Sequence, residues 1–192
     1  METINWTDFG NLRILIAVRL ARCEEECRRK ALERETAGAT RYSISATGSG
    51  DSLESIRKCL IGKQLPDNRP HPPNLKAKNP SFSARIMLAV NDRFAGNAPA
   101  VYNAAKSSRQ TYSQIISDET HKVDKTTAIR FAFALQLSLQ EAHTLLKSAG
   151  FAFSSSDRRD CILQACLEAD PPVWNLDTVN LLLKEYDVDF QF

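Results

Sequence analysis

Between Ser108 and Ser117 the chain carries Arg109, Gln110, Ser113 and Gln114, interleaved with Tyr112 and Ile115 three residues apart. At roughly 100° per residue, the four polar side chains fall on one face of a helix and the two larger apolar ones on the other. An arginine fork matches the two acceptors on a guanine edge, and a glutamine amide matches the donor and acceptor on an adenine edge. Each such pair gives about 1–3 kcal/mol of discrimination when both bonds form. Around this face stand Lys106, Lys122 and Lys125, whose ammonium groups suit phosphate, and Ser108, placed where a helix N-terminus adds partial positive charge. The set can read the edge and hold the backbone of a polyanion.

Groups that could make or break bonds are missing as patterns. There is no glycine-rich phosphate loop and no G-x-S-x-G nucleophile turn. Ser154, Ser155 and Ser156 beside Asp157 have the form of a helix cap rather than a catalytic cluster, with Ser155 or Ser156 as the cap. Cys23 and Cys27, four apart, share a helix face and could ligate a metal. A tetrahedral site needs two more ligands, however, and His71, His121 and His143 form no matching pair. Buried thiols are the plainer reading. The expectation is a non-enzymatic chain with no cofactor and no metal.

The elements that must position the polar face are short helices. Ser81 or Ser83 caps one that ends at Gly96. Pro99 suits the first turn of the next, from Ala98 to Lys106, because that turn needs no backbone donor there. A tight turn leads to a helix from Arg109 to Ile116, with Ser108 as its cap and Ala105 small enough for close crossing. After a loop containing His121 and Lys122, a strongly apolar helix runs from Lys125 to Leu137 with Ile129, Phe131 and Phe133. His121, beside the polar face, either touches phosphate or is simply solvated. Ser138 and Glu141 make a capping box for the following helix, which Gly150 ends. Two more helices follow, the last from Leu176 to Tyr186, separated by Pro171 and Pro172, with Trp174 as a core or interface plug.

On these residues the chain resembles the lambda-repressor-like helix-turn-helix class, often called the XRE family, over roughly residues 81–192. Ser108-Arg109-Gln110-Thr111-Tyr112-Ser113-Gln114-Ile115 resembles its recognition helix. The stretch from Ala128 to Phe151 is similar to a tail found in bacterial proteins behind unrelated N-terminal domains. The resemblance implies a five-helix unit that reads double-stranded DNA, with Arg109, Gln110, Ser113 and Gln114 on base edges and Lys106, Ser108, Lys122 and Lys125 on phosphates. Two positions depart from the class. Lys106 stands where glycine commonly precedes the recognition helix, and Ser107 where an apolar residue commonly follows. A left-handed Lys106 costs roughly 1 kcal/mol, or else the turn is shaped differently. These departures leave a second expectation open: a protein-interaction or adaptor module on the same fold, for example in a bacterial stress or defence system.

Charge is informative only in its distribution, since the 192 residues carry a formal net charge of +2. Residues 81–135 hold 7 Lys/Arg against 4 Asp/Glu, while 136–192 hold 4 against 9. The polar face thus lies in a locally basic stretch and the C-terminal end is acidic. Five cysteines, an odd number, and a start without a basic-then-apolar signal pattern point to a reducing, cytoplasmic setting. The apolar run Ile14 to Val18 is far shorter than the roughly twenty residues a membrane span requires, so no membrane is expected.

Before residue 81 the chain changes character twice. From Thr7 to Arg34 one helix carries a seam of Phe9, Leu12, Ile16, Leu20, Cys23, Cys27 and Ala31. Such a seam needs a partner, either the chain's own core or a second copy; a homodimer through this helix is the expectation. Residues 35–80 read as linker, first rich in Ser and Gly, then holding five of the eight prolines, with one short amphipathic helix around Leu53 to Ile61. Arg57, Lys58, Lys63, Arg69, Lys76 and Lys78 make this arm basic, either to track phosphate or only to stay solvated. The fold expected is all-α: an association helix in 1–34, a flexible linker in 35–80, and in 81–192 a compact bundle of about seven helices containing the helix-turn-helix.

Overall fold

The computed structural model describes residues 10–40, 75 and 79–192, with side chains of the first helix described to residue 35. The chain divides into two compact units, one of residues 1–27 with 70–192 and one of residues 28–69. The short helix expected around Leu53 to Ile61 and the basic arm lie outside the described residues.

The described residues are all-helical. A long α1 (Gly10–Thr40) is followed by α2 (Phe82–Phe94), α3 (Ala98–Ala104), α4 (Arg109–Ser117), α5 (Lys125–Ala134), α6 (Leu139–Ser148), α7 (Arg158–Glu168) and α8 (Leu176–Glu185). Among these residues, no helix is long and apolar enough to cross a membrane.

Each helix from α2 onward starts on a side-chain cap. Ser81, Asn97, Ser108, Asp124, Ser138, Asp157 and Asn175 each accept a backbone N–H of the first turn. These caps satisfy donors that the helix itself leaves orphaned. The α7 cap is Asp157, not Ser155 or Ser156. The carboxylate takes the Arg159 N–H at 3.0 Å, while Ser154 Oγ accepts from Ser156 N at 3.2 Å and closes the preceding turn on itself. The capping box is present in full, with the Ser138 N–H donating to Glu141 Oε2 at 2.8 Å.

α5 is the centre of the core. Ile129, Phe131, Phe133 and the adjoining Leu135 are fully buried, together with Ile86 of α2, Ile115 of α4 and Leu146 of α6. Arg93 on α2 fixes the corner after α5: its guanidinium donates to Gln136 O at 2.6 Å and Leu135 O at 3.3 Å and pairs with Glu141. Trp174 does serve as a plug, half-buried, with Nε1 donating to Leu137 O at 3.2 Å.

The first unit includes α1 up to Cys27, and there the seam is used within the chain. Leu12, Ile16, Leu20 and Cys23 join the same buried core as α7 and α8. Arg19 donates to Glu168 Oε2 (from Nε, 2.9 Å) and Gln164 Oε1 (3.3 Å), and Arg13 pairs with Glu185 at 3.0 Å. Of the two partners open to this seam, a second copy or the chain's own core, the structure shows the core, supplied by α7 and α8. Burial stops at Cys23, since Cys27 and Ala31 are exposed. In the second unit α1 continues to Thr40, beyond the expected end at Arg34, with Arg29 paired to Glu33 one turn on at 3.3 Å.

Candidate nucleic-acid interface

The polar face is presented by α3, a four-residue turn and α4. α3 ends in a Schellman turn: Ser107 N donates to Tyr102 O at 2.9 Å and Lys106 N to Asn103 O at 3.0 Å. This geometry needs a left-handed residue, and Lys106 adopts it with φ 50°. The turn therefore has the shape that glycine usually serves, at a cost of roughly 1 kcal/mol. Ala105 is fully buried at the crossing. Ser108 Oγ accepts from Thr111 N at 3.0 Å and lies 2.9 Å from Thr111 Oγ1, so its hydroxyl is occupied by capping and the free N–H groups of the first turn of α4 remain for an anion.

Arg109, Gln110, Ser113 and Gln114 are all exposed, and none of their side chains makes a hydrogen bond or ion pair with a described residue. Ile115 is buried and Tyr112 half-buried, its ring 5.7 Å from Tyr102 and 6.2 Å from Phe131. The face is therefore fixed from behind by packing and left uncommitted in front. Between α3 and α4 a cleft of about 600 Å³ opens, walled by Pro99, Tyr102, Tyr112 and Ile116, with Arg109 and Ser113 at its edge.

The four expected phosphate contacts fare differently. Lys122 is exposed in the loop after α4 and has no partner among the described residues. Lys106 pairs with Asp177 of α8 at 2.5 Å, a contact in which the aspartate side chain is 77% exposed. Lys125 is bonded to Asp160, whose carboxylate is 0% exposed. That carboxylate also accepts from Ser154 N at 2.7 Å and faces Arg159 Nη2 at 3.6 Å. A buried carboxylate holds its counterion far more firmly than an exposed one, so Lys125 is a structural cation here and Lys106 an exchangeable one.

Asp160 and Asp177 are the residues that sequence reasoning missed. They stand 35 and 71 positions from their lysines, where no local periodicity connects them. The acidic balance of residues 136–192 was the only signal, and two of those acids pair with Lys106 and Lys125 instead of facing away from the polar face. Two carboxylates at helix starts, Asp124 and Glu141, have perturbed affinities for protons. Burial pushes Asp124 and Glu141 up, but the hydroxyl and N–H donors of Thr127, and for Glu141 those of Ser138 with Arg93, outweigh it and hold both below the ordinary carboxylate range.

Among the described residues, no group of three or more His, Cys, Asp or Glu side chains is arranged to hold a metal ion. No protein-family model matches the chain, and no characterised protein or solved structure matches it significantly.

Proposed function

We propose that the chain is a cytoplasmic duplex-DNA-binding protein, a transcriptional regulator of bacterial or phage type, that places α4 in the major groove. The observation that carries this reading is the α4 face: four side chains able to reach base edges, exposed and unpaired among the described residues, on a helix whose opposite side is locked into the core. In this reading Arg109 and Gln110, in the first turn, reach base edges, and Ser113 and Gln114 follow one turn later. Lys122, Lys106 and the N-terminus of α4 hold the flanking phosphates. The chain performs no bond chemistry on its ligand.

A second reading is supported by the cleft beside α4. Its walls of Pro99, Tyr102, Tyr112 and Ile116 suit an apolar side chain of a protein partner, and pairing of Lys106 and Lys125 with acids reduces the positive field of the face. This is the adaptor alternative on the same surface.

A salt titration separates them. Binding to random and to selected duplexes is measured from low to high salt. A DNA reader loses affinity steeply as salt rises, with a slope set by the phosphates neutralised, and keeps a specific excess of about a thousandfold or more for its own site. Weak binding that is equal for all duplexes removes the regulator reading and leaves the adaptor.

A further inference from the structure

Three of the described cysteines meet where α1 crosses the start of α7. Cys23 is 1% exposed and Cys161 4% exposed, and the Cys23 thiol interacts with those of both Cys161 and Cys27. Cys27 is exposed, and its Sγ donates to Ser156 O at 3.3 Å; Cys161 Sγ donates to Ser155 O at 3.6 Å. Both outer thiols are thus held on one short turn, with Cys23 between them. The two helices are already fastened here by Arg19 to Gln164 and Glu168, and by Arg158 to Glu24 at 3.9 Å. The fourth described cysteine, Cys166, is buried and takes no part in these contacts.

We propose that this cluster is an oxidation site that converts hydroperoxide into a covalent link between α1 and α7, the Cys23–Cys161 disulfide. The Cys27 sulfur, the one open to solvent, attacks the peroxide. The O–O bond breaks, an S–O bond forms, and the thiol proton leaves with the alkoxide as alcohol, or as water from hydrogen peroxide itself. Cys23 then displaces hydroxide from the Cys27 sulfenic acid, giving an S–S bond and one water. That first disulfide spans one helical turn, where Cβ atoms stand about 5–6 Å apart, against the ~3.8 Å a relaxed disulfide needs. It is strained and open to exchange. Cys161 attacks Cys23, the Cys23–Cys161 bond forms across the two helices, and Cys27 departs with the proton that Cys161 gives up. Overall one hydroperoxide is reduced to alcohol and water, two thiols are oxidised, and Cys27 is regenerated.

The electrostatics support this division of labour. Burial, with the neighbouring thiols, pushes Cys23 up to about 12, and burial likewise raises Cys161, so neither is a thiolate that captures oxidant directly. The same property makes the exchange step slow, and proximity within the cluster compensates for it.

The test uses the full chain carrying Cys59→Ser, so that this thiol cannot exchange. Protein is treated with hydrogen peroxide, quenched in acid, unfolded, alkylated and digested without reductant, and the peptides are weighed. The expected product joins the peptides of Cys23 and Cys161 and leaves Cys27 alkylated. Cys27→Ser slows its formation by roughly tenfold or more, and Cys161→Ala, checked for folding by circular dichroism, accumulates a Cys23–Cys27 link. Sulfinic or sulfonic acid at Cys27 with Cys161 fully alkylated overturns the proposal, as does a product made only of two chains joined through Cys27.

Discussion

Two polar clusters lie on either side of the loop between α4 and α5, and they are opposite in construction. Around Asp160 the charges are answered by charges: Lys125 and the Ser154 N–H bond to Oδ2 of a carboxylate that water does not reach, and its Oδ1, which accepts no hydrogen bond, faces Arg159 at 3.6 Å. On the α4 face Arg109, Gln110, Ser113 and Gln114 stand in solvent, and their side chains have no hydrogen-bond or ion-pair partner among the described residues. A polar group buried with its partners contributes to fold specificity and is costly to disturb, whereas one left exposed on a rigid helix contributes little to stability and is free for a ligand. The contrast separates polar residues committed to the fold from polar residues left open to solvent.

The largest expected effect comes from breaking the answered cluster. Asp160→Ala leaves Lys125 and the Ser154 N–H without their acceptor, and urea denaturation should show a loss of about 3–5 kcal/mol. Less than about 1 kcal/mol would mean that water replaces the carboxylate, and the distinction drawn between the clusters would lapse. On the other side, Gln110→Ala should leave urea stability within about 0.5 kcal/mol, yet relax duplex discrimination by about 1–3 kcal/mol at one base position in competition binding. Lys122→Ala should weaken all duplexes alike and reduce the salt slope by about one unit. If both variants bind duplexes as the parent chain does, α4 is not used on DNA.

Lys106 lies between the two extremes, and Asp177→Asn sharpens the comparison there. Removing the exposed carboxylate takes away the competitor that Lys106 must leave to reach a phosphate, so duplex affinity should rise by up to about fivefold with little change in stability. Unchanged affinity would place Lys106 outside the interface. The smallest effect is acid sensitivity at the caps. Asp124 and Glu141 are held below their ordinary values, so their contribution is complete above the unfolded-state values and is lost as pH falls through the folded ones. Stability at pH 3 should be lower than at pH 6, and Asp124→Asn should flatten part of that slope.

How far the sequence revealed these features depended on whether the signal was local. Most helix starts were legible, because a cap is one residue of a short list immediately before an apolar period; Ser108 and the Ser138–Glu141 box needed nothing else, while at α7 three serines and Asp157 stood in a row and the aspartate proved to be the cap. Helix ends were less so. α3, α5 and α8 stop before Lys106, Leu137 and Tyr186, where apolar periodicity carried the expectation too far. The reason is common to all three: Lys106, Gln136 and Asp187 take positive φ at the turn that follows, a position where glycine is the readable signal and these residues are not. Gly96 and Gly150, both at positive φ, did mark the ends of α2 and α6. The polar face of α4 followed from periodicity, but its counterions did not, because Asp160 and Asp177 arrive through tertiary packing. For the α1 seam the sequence showed that a partner was required and left two candidates, between which only the packed core decides.

The bond from Trp174 Nε1 to the Leu137 carbonyl has a practical consequence. The chain has two tryptophans, the other being Trp6 near the start. In a Trp6→Phe background the emission of Trp174 becomes an optical gauge of whether the C-terminal segment is seated on the corner after α5. A half-shielded indole bonded to a carbonyl emits to the blue of a hydrated one, so a red shift that precedes the loss of helical circular dichroism would time the release of that segment from the corner of the bundle.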